Sequence, residues 1–176
     1  MNNQIRHSIW SVADLIRDAL SLPTPIDLDT LIHAIESLGG ECIGVDNSAS
    51  DFEAQIAALK PESNYSFRIE YVNNKPKTRI LFSIAHELGH LFLHLLQPDG
   101  TFKTDILLQR STNTSYQELE ANEFAAALLM PAEQFINQCQ ENARQNSDLV
   151  NISDIAHYFH VSNQAATIRG SILQLW

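Results

Sequence analysis

Residues 83–96 read SIAHELGHLFLHLL, an apolar run interrupted by Ser83, three histidines and Glu87. On a helical wheel every one of these polar side chains falls in a stripe about 100° wide, and Ile84, Leu88, Leu91, Phe92, Leu95 and Leu96 fill the remainder. A helix this apolar on its other sides is buried, so the stripe must face an internal cleft or other polar groups. Left without partners, each buried polar group would cost about 1–3 kcal/mol.

His86, Glu87 and His90 spell HExxH. The i, i+4 spacing sets two imidazoles one turn apart on one face, where both can reach a single Zn²⁺ at about 2.0–2.1 Å. Glu87 then stands beside the metal without binding it and can take a proton from water that the metal acidifies, a combination suited to attack on peptide carbonyls. HExxH matches on charged helices are mostly accidental, and it is the apolar surroundings that favour a metal site here. His94 is about 12 Å of helical rise from His86, too far to share one ion on a straight helix, so it reads as a structural or supporting group. The glycine of the longer HExxHxxGxxH pattern is absent.

A catalytic zinc usually has three protein ligands and one open position. Downstream, QELEANEFAAALLMP (117–131) offers Glu118, Glu120 and Glu123 on a further helix. The wheel centres an apolar arc on Ala121, Phe124, Ala125, Leu128 and Leu129, with Glu118 and Asn122 inside it and Glu120 and Glu123 opposite. A carboxylate on a core-facing stripe needs a strong partner, which selects Glu118 as third ligand and leaves Glu120 and Glu123 to solvent. Asn122, one turn after Glu118, is placed to accept the distal N–H of a ligating histidine. Gly89 would let the Glu118 helix approach closely.

The remainder of the chain sets bounds. With 176 residues, 44% apolar and 18% charged, it suits one folded domain, with 1–148 as the main unit and 149–176 as a helical C-terminal segment packed on it. No run is long and apolar enough to span a membrane, and the N-terminus reads as an amphipathic helix rather than a secretory signal, so a cytoplasmic location is expected. Cys42 and Cys139 form no CxxC pattern. Eleven Lys and Arg face 21 acids, a net charge of −10, which argues against direct nucleic-acid binding. A second helix from about Asp27 to Leu38 closes at Gly39 and Gly40. ECIGVD, DFEAQIAAL, YSFRIEYV and KTRILF read as strands, the last two joined by an NNKP hairpin turn; the loop QPDGTFKTD and a polar segment to about Thr114 follow the histidine helix. The expected class is α+β, a small, mainly antiparallel sheet beside helices. The last segment, 152–173, has helix-turn-helix spacing with Ser162 as N-cap, but its one basic residue is Arg169, which favours a packed helical pair over a DNA reader.

FSIAHELGHLFLH and ELEANEFAAALLMP, in that order, resemble the ImmA/IrrE metallopeptidases, and the likeness extends through PIDLDTLIHAIESLGG and ISDIAHYFHVSNQAATIRGSIL. The resemblance implies a zincin-like fold, His86, His90 and Glu118 as metal ligands, and Glu87 as catalytic base. It also implies a zinc endopeptidase; imidazole and carboxylate ligands tolerate several divalent metals, so manganese is a possible substitute. The substrate implied is a helix-turn-helix repressor, often encoded nearby in a mobile element, prophage or stress-response locus, whose cleavage releases transcription. Where the family frequently has an arginine before its Phe-Thr, this chain has Leu81 before Phe82 and Ser83, with Arg79 close by. The alternative is a zinc-containing regulator that sequesters a repressor without cleaving it; an intact Glu87 weighs against that. Tyr116, His157 and His160 are candidates for stabilising the oxyanion, and KTRILF is a candidate strand for pairing with an extended substrate.

Overall fold

The computed structural model describes residues 1–46, 53–60, 62–97, 99–101, 114–145 and 148–176. The amphipathic N-terminal segment forms α1 (Asn3–Ala19), capped by the Asn2 side chain, which accepts from the Ile5 N–H at 2.8 Å. Asp27 caps α2 (Leu28–Ser37) through the Thr30 N–H at 2.8 Å. The chain leaves α2 through Gly39, whose φ of +77° is a conformation that a side chain would strain.

Three strands follow: β1 (Gly40–Val45), β2 (Ala54–Ala58) and β3 (Phe67–Val72), in the spatial order β1-β3-β2. β2 pairs antiparallel with β3, from Ala54↔Tyr71 to Ala58↔Phe67, and β1 pairs parallel with it, from Gly40↔Phe67 to Val45↔Val72. The α+β class stands, with a mixed sheet. Phe67, Ile69 and Ile56 enter the core from its strands.

KTRILF is not a strand, and NNKP is not a hairpin turn. These residues open α3 (Lys77–His90), preceded by Pro76, whose carbonyl accepts from the Arg79 and Ile80 N–H groups at 2.9 and 3.0 Å. Ile80, Leu81, Ile84, Ala85 and Leu88 make one continuous buried face at helical spacing, so the segment buries more apolar surface as helix than as a two-residue alternation. Leu81, just ahead of Phe82, is only 1% exposed, a place for an apolar side chain. The helix continues as a π turn over Leu91–Leu95, closed by the Leu96 N–H on the Leu91 carbonyl at 2.8 Å. Most of the loop and polar segment expected between 97 and 114 lies outside the described residues.

α4 (Thr114–Leu129) runs through the core. It comes close to α3 at Gly89, where a Cβ would stand 2.9 Å from the Ala121 Cα and 3.0 Å from its carbonyl oxygen. Two buried arginines close its C-terminal end: Arg17 Nη1 donates to the Leu128 carbonyl at 2.6 Å and Arg169 Nε to that of Met130 at 3.0 Å. These carbonyls have no partner within the helix, and the cations suit its negative end.

α5 (Ala132–Gln145), α6 (Ile152–Tyr158) and α7 (Asn163–Ile172) complete the chain. Phe135 stacks on Phe159 at 5.4 Å, and Ile155, Ala156, Phe159, Val161 and Ala166 join the same core cluster as α3 and α4. Ser162 caps α7 by accepting from the Ala165 N–H at 3.1 Å. Arg169, the one basic residue of this helical pair, is 1% exposed, so it is not presented to a phosphate backbone. Among the described residues no helix is long and apolar enough to cross a membrane.

Candidate metal centre

α3 supplies His86, Glu87 and His90, and α4 supplies Glu118 and Asn122. Packing at Gly89 and Ala121 brings the two helices together between the ligand-bearing turns. One ligand atom from each of His86, His90 and Glu118 lies within 4.8 Å of the others, the only such group of three among the described residues. The two Nε2 atoms are 3.0 Å apart, and the Glu118 carboxylate reaches both, with Oε2 3.1 Å from His86 Nε2 and Oε1 3.3 Å from His90 Nε2.

This donor set fits a small divalent cation. Ligands about 2.0–2.1 Å from a tetrahedral zinc stand roughly 3.3 Å apart, close to the observed separations. The side chain of Asn122 turns its oxygen to His86 Nδ1 at 3.0 Å, an acceptor for a proton on Nδ1 that would leave the Nε2 lone pair free for a cation. A carboxylate and an imidazole lone pair converging on one point are better served by a cation than by each other. The histidine side chains are 16 and 17% exposed and that of Glu118 45%, so the centre opens to solvent on the α4 side. Glu87 is buried beside His86.

The wheel assigned the α4 carboxylates to the wrong environments. Glu118 and Asn122 are not on a core stripe: Glu118 is half-exposed and Asn122 exposed. Nor is Glu123 solvated. It is 6% exposed and accepts from Trp10 Nε1 at 2.6 Å and from Arg6 Nε at 3.2 Å, with Arg169 Nη1 at 3.6 Å. The Arg169 guanidinium also lies over the Trp10 ring, 4.6 Å from its centroid. Burial pushes that guanidinium down to about 10, against the opposing pull of Glu123. The C-terminal half of the helix is buried nearly all round, and the partners of Glu123 come from α1 and α7, too distant in sequence for a wheel to reveal.

Glu120 is also not simply solvated: its Oε2 is 3.0 Å from Nε2 of His94, and His94 Nδ1 is 3.2 Å from His90 Nδ1. His94 is 7% exposed and sits outside the ligand triangle. Its lone position on the polar stripe was the signal that a partner was needed. Of the oxyanion candidates, Tyr116 is exposed on α4, whereas His160 Nδ1 faces the Ile26 carbonyl at 3.2 Å. Arg79 forms an ion pair with Glu53, just ahead of β2, and holds that carboxyl below its ordinary range. Cys42 and Cys139 are pushed up to about 12 and about 11 by burial, so both stay as unreactive thiols at neutral pH.

Comparison with curated proteins gives no match. Among solved structures, one described as a Mycobacterium tuberculosis transcriptional regulator is similar over 94% of this chain with a TM-score of 0.64 and 19% identity. That likeness shows a shared fold, and this chain spans 46% of that longer one. The model of a peptidase family described as the IrrE N-terminal-like domain matches residues 41–171, a span that holds both the α3 histidines and the α4 glutamate. On that match the chain belongs to the family of the IrrE N-terminal-like domain.

Proposed function

We propose that the protein is a zinc-dependent endopeptidase that cleaves a helix-turn-helix transcriptional repressor and so relieves repression of the locus that the repressor controls. The observation that carries the chemistry is the triangle of His86 Nε2, His90 Nε2 and a Glu118 oxygen, with Glu87 next to His86. His86, His90 and Glu118 would hold the metal, and Asn122 would orient His86. Zinc bound there supplies Lewis acidity, acidifying water and polarising a carbonyl, and manganese suits the same nitrogen and oxygen donors.

Glu87 is the general base: its carboxylate takes the proton of the attacking water and returns it to the nitrogen of the leaving amine. An extended substrate would lie along β2, the sheet edge that packs beside α3, rather than along KTRILF, which is helical. The repressor as substrate rests on family membership and on the resemblance of the paired motifs.

The test is a cleavage assay of the zinc-loaded chain with the repressor encoded nearest its gene, read by gel and mass spectrometry beside Glu87→Gln. One discrete cut, lost by a factor of about 10²–10⁴ in the variant and abolished by a chelator, is the expected result. A stable complex with both proteins and no cut favours sequestration instead.

A further inference from the structure

We infer that His94 and Glu120 form a positioning chain, His90–His94–Glu120, that fixes the tautomer of His90 and thereby aims its Nε2 at the metal. The inference rests on the metal-centre reading above and deepens it. Four ring nitrogens and one carboxylate oxygen carry it. His90 presents Nε2 to the triangle and Nδ1 to His94 Nδ1 at 3.2 Å, while His94 Nε2 stands 3.0 Å from Glu120 Oε2.

Only one order of protons satisfies this chain when Nε2 of His90 is a ligand. A neutral imidazole with its lone pair on Nε2 carries its proton on Nδ1, and that N–H must donate to His94. His94 Nδ1 must then be the acceptor, which places the His94 proton on Nε2. There it donates to the Glu120 carboxylate, an acceptor with no proton of its own to offer. The opposite order, with His94 Nδ1 donating, would put the His90 proton on Nε2 and close the ligand position. Glu120 therefore selects the metal-competent arrangement from two bonds away.

Two features show that the arrangement is built into the fold. His94 is 7% exposed, so its ring nitrogens depend on these partners rather than on water. It also lies within the π turn Leu91–Leu95 that directly follows His90. His86 receives the same service from Asn122 on α4, so each histidine ligand has its distal nitrogen oriented by that helix, one directly and one through His94.

The experiment is Zn²⁺ affinity of the full chain, measured by competition with a chelating dye, together with the thermal midpoint of the metal-free protein. His94→Leu removes the acceptor but fills the space, and about 10–100-fold weaker zinc binding is expected with the fold retained. His94→Gln, whose amide oxygen can accept from His90, should recover part of that loss. Glu120→Ala should weaken binding by a smaller factor, and by nothing further when added to His94→Leu, since it acts only through that ring. Wild-type zinc affinity in a folded His94→Leu chain overturns the chain of bonds, as does a Glu120→Ala effect that persists in full without His94. If His94→Leu fails to fold, Glu120→Ala decides, and unchanged affinity there overturns the inference. His86→Ala separates the two readings: if it leaves zinc affinity unchanged, the metal centre itself is wrong, whereas a normal centre indifferent to His94 and Glu120 refutes the positioning chain alone.

Discussion

Glu118 and Glu123 stand little more than one turn apart on α4, and their surroundings differ in sign. Glu123 is enclosed by donors: Trp10 Nε1, Arg6 Nε and the Arg169 guanidinium. Its charge is neutralised inside the fold, and it ties α1 and α7 to α4. Glu118 is half-exposed and faces two ring nitrogens that converge on the same point as its own oxygens. A carboxylate surrounded by cations is a structural element already complete. One that converges with other acceptors is completed by a cation from outside.

The widest difference is expected on removing each carboxylate. Glu123→Ala leaves Arg169 buried without its anion and should cost about 3–5 kcal/mol, read from denaturant unfolding of the metal-free chain. The variant that remains folded should still bind zinc. Glu118→Ala should change metal-free stability by no more than about 0.5 kcal/mol, because the side chain is half in water. Its zinc affinity should fall by more than the 10–100-fold typical of a supporting residue. Equal stability losses in the two variants would break the distinction.

Gly89→Ala probes the helix contact that both sides of α4 share. The added methyl meets the Ala121 backbone at 2.9 Å, and backbone cannot swing away as a side chain can. Overpacking should cost about 1–3 kcal/mol, offset in part by roughly 0.5–1 kcal/mol of better helix propensity. Zinc affinity should fall as well, because the α3 and α4 ligands would be pushed apart. A stability loss with unchanged affinity would show that the triangle tolerates a shift of one helix against the other.

What was legible in the sequence follows the range of the interactions. The HExxH pair is local geometry, one turn of one helix, and its donors lie where the spacing put them. Glu118 does lie with the two histidines, but the premise that picked it, a core-facing stripe, fails: it is half-exposed, and the buried part of α4 is its C-terminal half. What separates Glu118 from Glu123 is contributed by Arg6, Trp10 and Arg169, more than forty residues away in sequence and in opposite directions. KTRILF misled because its β-branched and aromatic residues suit a strand, while the helix signal lay in Pro76 just ahead of it and in the continuation of the apolar spacing into Ile84 and Leu88. The mixed sheet was illegible for a similar reason: β1 pairs with β3 across the intervening β2, a choice that nothing local encodes.

Asp27 is a third kind of carboxylate, exposed and held chiefly by a helix end, and it sharpens the contrast at its weakest limit. Its oxygen accepts from the Thr30 N–H at 2.8 Å, and the hydrogen bonds to Thr30 hold its carboxyl below the ordinary value of 3.8. The folded chain thus binds this proton less tightly than the unfolded chain. The stabilisation is fully present above pH 3.8 and is lost as the pH falls through the lower folded value. Asp27→Asn keeps a capping oxygen and removes the charge, so the two proteins should differ in urea midpoint at neutral pH and converge as Asp27 takes up its proton. In water the difference should be a few tenths of a kcal/mol, as for charges near an exposed helix terminus. A gap that persists unchanged below the folded value would mean that the carboxylate acts through shape alone, and that charge decides the fate of α4 carboxylates but not of this one.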